Sequence, residues 1–123
     1  MLARATFAGD VKVQQNHAAD VAIVENTFSP GGYSGWHAHP ATTVILVKSG
    51  SIAIYTLLPN GSCVKKVYSQ GQGFVEQAGA YQIGINEGSV TADVLVTFLN
   101  VPTGGSTRSE LDAAPTGAGC PTV

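Results

Sequence analysis

The sequence has few charged residues, few cysteines and no long apolar run, and each shortage excludes a class of protein. Only 11% of its 123 residues are Asp, Glu, Lys or Arg, and the formal net charge is −2. Proteins that bind nucleic acid need a basic surface, which this composition does not offer. The longest apolar runs, TVILV and DVLVTFL, are far shorter than the roughly 20 residues of a membrane-spanning helix. We therefore expect neither nucleic acid nor a membrane among the partners.

Cysteine is almost absent, and the two cysteines are far apart. Cys63 and Cys120 do not belong to a C-x-x-C pair, so the sequence predicts neither a zinc knuckle nor a thioredoxin-type motif. They are either two thiols or one disulfide, and a disulfide would explain a cysteine in a polar tail. The N-terminal stretch MLARATFAGDVKV has no apolar signal segment, which favours a cytoplasmic protein. A Cys63–Cys120 disulfide would instead favour export, because such bonds persist outside a reducing cytosol.

What the sequence has in abundance is Gly, Val and Thr, which favours strands and turns over helices. Strand-like segments recur at intervals of about ten residues, a spacing typical of an all-β sandwich or barrel. Asn60-Gly61 predicts a hairpin turn. We expect a β-domain over residues 1–103 and a Gly/Pro/Ser-rich tail over 104–123, with one short helical turn at SELDAA. The predicted strands are VKVQQ, DVAIVENTF, TTVILVKSG, SIAIYTLL, CVKKVYS, QIGIN and VTADVLVTFLNV.

One short segment, GWHAHP, carries two histidines at alternate positions. In an extended chain alternate side chains share a face, so His37 and His39 would project together. Imidazole is a common metal ligand, and two imidazoles on one face begin a chelating site. A tight site needs one or two further ligands from another part of the chain.

Two stretches of this sequence resemble the two conserved motifs of the cupin family. GGYSGWHAHPATTVILVKSG is similar to the first motif, and its closing glycine is Gly50. GQGFVEQAGAYQIGIN is similar to the second motif, with Gly73, Gly79 and Asn86 at its fixed places. The resemblance runs from about residue 21 to 102 and is strongest to small single-domain bacterial cupins. It implies a single jelly-roll-like barrel of two antiparallel sheets, which commonly forms a homodimer through the N-terminal segment.

The same resemblance indicates the other metal ligands, and here the sequence departs from the family pattern. The glutamate of the first motif falls on Thr43, and the histidine of the second motif falls on Gln82. We expect His37, His39 and Gln82 to bind a divalent transition metal, one of Zn, Ni, Fe, Mn or Cu, and Thr43 to leave its corner of the site for water or substrate. Glu76 could supply a carboxylate, but a solvent-exposed turn residue is the favoured interpretation.

Two alternatives to a metal site stay open for the histidine pair. The rings could act as acid–base groups in a metal-free pocket, or they could be structural remnants bonded in the mouth of the barrel.

The sequence leaves two hypotheses for the function of the protein. The first is a metal-dependent enzyme (oxygenase, isomerase, cyclase or lyase) acting on a small organic molecule, with Glu76 or Tyr55 moving a proton. The second is a non-catalytic module that binds a small acid or sugar. Phe98, and Tyr55 as well, are candidates to line the lumen.

Overall fold

The computed structural model describes residues 1–15 and 17–123, and within this part of the chain all regular structure is β. Ten strands form two five-stranded sheets, which confirms the all-β cupin-type barrel that the sequence predicts. The strands are β1 (Thr6–Phe7), β2 (Asp20–Phe28), β3 (His37–Ala38), β4 (Thr43–Ser49), β5 (Ser51–Leu57), β6 (Cys63–Ser69), β7 (Gln72–Glu76), β8 (Gln82–Ile85), β9 (Ala92–Val101) and β10 (Ser109–Glu110).

The two sheets pack face to face around the main core. The first sheet has the strand order β1-β7-β4-β9-β2, and the second has the order β10-β3-β8-β5-β6. All neighbours are antiparallel except β1 and β7. Strand β4 shows how the sequence selects this arrangement, because its alternate residues Thr43, Ile45 and Val47 are buried whereas those between them are less so. The side-chain period of two thereby gives the sheet one face toward the core.

Gly50 links the two sheets at the tight connection between β4 and β5. Its φ of 71° lies in the left-handed region, and a Cβ built there would come within 2.6 Å of the Thr91 carbonyl oxygen. Only glycine combines a positive φ with so close an approach at no steric cost. The closing glycine of the first motif is therefore required by backbone geometry.

A second apolar cluster covers the opposite face of the second sheet. Trp36, Tyr55 and Ile83 are among its buried members, and Leu111 from the C-terminal tail packs against them. The tail also supplies β10, which pairs with β3. A disulfide joins Cys63 to Cys120, near the end of the tail, which confirms the predicted pairing. The tail therefore completes the sheet that carries the histidines.

Two predicted elements are wrong. VKVQQ forms no strand in the structure, because its alternating valines, Val11 and Val13, stay exposed instead of facing the core. SELDAA forms no helical turn. Ser109 and Glu110 instead pair with β3, and the Leu111 N–H donates to the Trp36 carbonyl, so strand pairing overrides the local preference for a turn. Among the described residues, no helix is long and apolar enough to cross a membrane.

Asn86 is a fully buried structural residue. Its Nδ2 donates to the carbonyl oxygens of Phe28 and Val90, at 2.9 and 2.8 Å, and its Oδ1 accepts from the Gly88 N–H at 3.0 Å. We expect Asn86→Ala to lower the free energy of unfolding by about 2–4 kcal/mol, because three part-buried hydrogen bonds are lost and the buried space of the side chain is left empty. Urea denaturation measures this. Asn26→Ala, at an exposed position of β2, is the matched control and should stay within about 0.5 kcal/mol of wild type. A loss below about 1 kcal/mol for Asn86→Ala would contradict this role.

Candidate metal centre

His37 and His39 lie side by side inside the barrel. Both are buried, with exposed fractions of 6% and 5%, and their ring centroids are 4.7 Å apart. The ring of His39 also lies 5.2 Å from the ring of Phe98 on β9. The extended backbone at β3 thus places both imidazoles on one face, as the i, i+2 spacing predicts.

Backbone carbonyls fix the orientation of both rings. The Nδ1 of His37 lies 2.9 Å from the Gly35 carbonyl oxygen, and the Nδ1 of His39 lies 2.8 Å from the Thr107 carbonyl oxygen. A carbonyl can only accept, so each Nδ1 carries the hydrogen and donates it. Each Nε2 therefore keeps its lone pair for another partner in the neutral ring. This is the arrangement that orients metal-binding histidines in proteins.

The partner that faces these nitrogens is Glu76. Its Oε2 lies 2.7 Å from the Nε2 of His39 and 3.9 Å from the Nε2 of His37. One ligand atom from each of the three buried residues lies within 4.8 Å of the others. A lone pair and a carboxylate oxygen at 2.7 Å repel unless a proton or a metal ion lies between them. A proton satisfies this contact in the metal-free protein, and the same two atoms are close enough together to share a metal ion.

Two sequence expectations about this corner are wrong. Glu76 is not a solvent-exposed turn residue but is 7% exposed at the end of β7, and the site does not lack a carboxylate. The cause is strand register, because Glu76 pairs directly with Thr43 across β4 and β7. The carboxylate missing from the first motif is supplied by the neighbouring strand. Thr43 is buried beside it.

The protonation preferences of the two rings differ. Burial lowers the pKa of His37, and this effect outweighs the hydrogen bond to Gly35 and the nearby Glu76 charge. Burial also disfavours the charged form of His39, but the hydrogen bond to Glu76 and the bond to Thr107 raise its pKa overall. Of the two rings, His39 therefore favours the charged form more than His37 does.

Gln82 is buried next to the cluster. It pairs with His37 across β3 and β8, and directly opposed residues of an antiparallel pair point to the same face. Its exposed fraction is 4%, and its Nε2 has no hydrogen-bond partner within the described part of the chain. A buried amide without a partner costs free energy unless something else satisfies it. The amide nitrogen is therefore free to donate to a ligand, although Gln82 is not among the residues that line the cavity described below.

The cluster opens into a cavity of about 240 Å³ between the two sheets. Of its seventeen lining residues, nine have aliphatic or aromatic side chains, including Phe98 as predicted. Thr43 lies between Glu76 and Phe98 in the sheet but is not among the lining residues. Two residues of the tail, Thr107 and Arg108, do line the cavity. Sequence reasoning missed these two, because their contact with the site depends on where the tail folds back.

Tyr55 lies outside this cavity. It belongs to the apolar cluster on the other face of the second sheet, and its hydroxyl donates to the carboxylate of Glu87. That bond and burial raise the pKa of Tyr55. Strand parity explains the placement, because Tyr55 follows Ile54, which lines the cavity. The structure thus gives no contact through which Tyr55 could move a proton at the histidine cluster.

The fold agrees with the comparisons to known proteins. The cupin family model matches residues 2–111, and the chain belongs to that family. A germin-like protein, subfamily T member 2 of Arabidopsis thaliana, is 35% identical over 72 residues. That match covers 58% of this chain and 33% of the relative, so the chain spans about a third of its length. The bacterial character expected from the sequence stays a prediction.

Solved structures of similar fold include two kinds of oxalate enzyme. An oxalate oxidase in complex with the substrate analogue glycolate has 26% identity and a TM-score of 0.57, and the match covers 63% of this chain and 40% of that one. A Bacillus subtilis oxalate decarboxylase variant has 17% identity and a TM-score of 0.65, with coverage of 76% and 25%. The second likeness concerns the fold alone.

Proposed function

We propose that the protein is a metal-dependent cupin in which His37, His39 and Glu76 bind one divalent transition metal. The convergence of these three buried residues supports this most directly, because one ligand atom from each lies within 4.8 Å of the others. Two imidazoles and one carboxylate are also a donor set that first-row transition metals accept. Zn, Ni, Fe, Mn and Cu all remain candidates. A bound ion would act as a Lewis acid toward an oxygen of the substrate.

Other groups of the protein orient the two imidazoles and line the cavity. The backbone carbonyls of Gly35 and Thr107 hold the two rings, and the apolar cavity wall keeps water from much of the site. Chemistry at a substrate carbonyl, carboxylate or enolate suits this arrangement, as in the oxygenase, isomerase, cyclase or lyase classes. Similarity to an oxalate oxidase and a germin-like protein supports an enzyme role. Glu76 is better placed as a ligand than as a free proton carrier.

Titration of the chelator-treated protein with Zn²⁺ or Mn²⁺ tests this function. We expect one equivalent to bind per chain, with a dissociation constant below about 1 µM, since three buried ligands are already oriented. Isothermal titration calorimetry gives both stoichiometry and affinity. Binding weaker than millimolar, or several weak sites of equal affinity, would contradict the proposal.

Gln82 is proposed as a fourth, weaker ligand through its amide oxygen. Gln82→His should raise the metal affinity about tenfold, because imidazole is a better ligand than a neutral amide. Gln82→Ala should lower it several-fold. Gln72→His, at an exposed position of β7, is the matched control and should leave the affinity unchanged. Competition with a chromophoric chelator measures all three. Wild-type affinity in both Gln82 variants would remove this residue from the ligand set.

We also propose that the protein works in an oxidising compartment and binds a small molecule in its cavity. The Cys63–Cys120 disulfide supports the first point, because such bonds are rare in a reducing cytosol. Counting free thiols in protein purified without reductant checks it. The homodimer implied by the family resemblance stays a prediction.

A further inference from the structure

We infer that the cavity takes a monoanionic amphiphile, a compound with one oxygen head and an apolar body, rather than a small dianion. This inference rests on the proposed metal site for the head and on the cavity wall for the body. The wall has nine apolar side chains, and an apolar cavity is an unfavourable place for a second charge.

The polar lining residues form one connected patch. The Nε2 of His39 contacts Glu76, its Nδ1 contacts the Thr107 carbonyl, and the neighbouring Arg108 donates through Nη2 to the Ser34 carbonyl at 3.0 Å. His37 is joined to the same patch through Glu76. The remaining polar lining residue, Asn26, lies on the exposed strand β2. The cavity therefore offers a single place for a polar head.

The charge of this patch favours one negative head. A divalent ion held by one carboxylate and two neutral imidazoles leaves a net positive charge. The guanidinium of Arg108 also lines the cavity, although Glu110 pairs with it. A carboxylate or enolate would compensate the charge of the ion, and its second oxygen can accept a hydrogen bond from a side-chain donor of the patch.

The rest of the wall fits a hydrocarbon. Ile45, Val96 and Phe74 line it from the first sheet and Ile54 from the second, and all four are at most 8% exposed. The volume of about 240 Å³ corresponds to about eight water molecules at liquid density. A branched aliphatic chain or one phenyl ring with a short acidic head has a matching size. Water or a dianion would leave this wall without apolar contacts.

Part of the exposed rim of the cavity lies on β2, and this strand supplies a matched pair of variants. Val24 lines the cavity although it is 37% exposed, whereas its neighbour Ile23 is 66% exposed and faces away. Because alternate strand residues point to opposite faces, a tryptophan at position 24 obstructs the opening and one at position 23 does not.

The test compares phenylacetate with acetate, which differ only in the apolar body. We expect Zn²⁺-loaded protein to bind phenylacetate at least about tenfold more tightly than acetate, since the ring leaves water for the apolar wall. Val24→Trp should lose most of that preference, and Ile23→Trp should keep it within about twofold. Isothermal titration calorimetry gives the affinities. Equal affinity for the two acids, or equal behaviour of the two variants, would overturn the inference.

Toluene binding to the metal-free wild-type protein separates this inference from the proposed function. We expect toluene to shift the methyl NMR signals of Ile45 and Ile54, because these side chains belong to the apolar wall that the ring would contact. If no metal binds but toluene shifts these signals, the metal function fails and the apolar body site stands. If metal binds but neither toluene nor phenylacetate enters the cavity, the inference fails and the metal function stands.

Discussion

His39→Ala is expected to lower the affinity for Zn²⁺ or Mn²⁺ by roughly 100-fold or more, the largest effect of any single change in the site. Of the two imidazoles, His39 lies closer to Glu76, at 2.7 Å against 3.9 Å for His37. Its removal takes away one ligand and leaves the carboxylate of Glu76 buried without its partner. Calorimetric titration of the variant against wild type measures the change.

The chain provides a matched control for this experiment. His17 is exposed in a segment before β2, so His17→Ala removes an imidazole that is remote from the cluster and should leave the affinity unchanged. Circular dichroism and thermal unfolding of both variants show whether the barrel stays folded. Metal affinity of a folded His39→Ala variant within about threefold of wild type would contradict the proposed ligand set.

Removing the disulfide is expected to lower the free energy of unfolding by about 4 kcal/mol. The bond closes a loop with a sequence separation of 57 residues, and in the chain-entropy model a loop of this length restricts the unfolded chain by that amount. The double variant Cys63→Ala/Cys120→Ala measures the effect by urea denaturation without leaving a free thiol. Wild-type protein unfolded in the presence of a reductant should give the same value.

The same variant should also weaken metal binding, because the tail carries part of the support of the site. Thr107 accepts the hydrogen bond from His39, and β10 pairs with β3 at His37 and Ala38. Loss of such supporting contacts typically costs 10- to 100-fold in metal affinity. A change in unfolding free energy below about 1 kcal/mol would contradict the predicted stabilisation. Full metal affinity would show that the tail stays docked without its covalent bond.

The barrel and the histidine pair could be predicted because their signals are local. Turn glycines such as Gly50, strands spaced about ten residues apart, and two histidines at i and i+2 are all read within short windows. The placement of Phe98 in the cavity follows from its alternation with neighbours on β9. The disulfide could be predicted because the chain offers only two cysteines.

Glu76, the proposed third ligand, was named as a possible carboxylate donor but was not the favoured choice, because its place depends on contacts between strands. Glu76 reaches the histidines through the register of β7 against β4, which no short window of sequence contains. A weaker signal was available, since Glu76 shares its parity with Phe74, and a residue two positions from a buried aromatic on a strand faces the same way. The short apparent turn GFVEQAG concealed that strand.

Tyr55 and the segment VKVQQ show the opposite error. Their local sequence patterns predicted a lumen position and a strand that the structure does not have. Tyr55 lies in a strand that is buried on both faces, because the tail covers the outer face, so burial there does not imply the lumen. Val11 and Val13 alternate like strand residues, but the exposed segment has no strand pairing. Both outcomes depend on which other segment of the chain packs against the strand or pairs with it, and tertiary structure determines this.

X-ray absorption at the Zn K-edge tests the central claim most directly, because it reports the ligands of the bound ion. Protein loaded with one equivalent of Zn²⁺ should show two imidazole nitrogens at about 2.0–2.1 Å, with the other ligands oxygen. His39→Ala loaded in the same way should show at most one imidazole. A wild-type spectrum with no imidazole, or with a shell of oxygen atoms alone, would contradict the proposed metal centre.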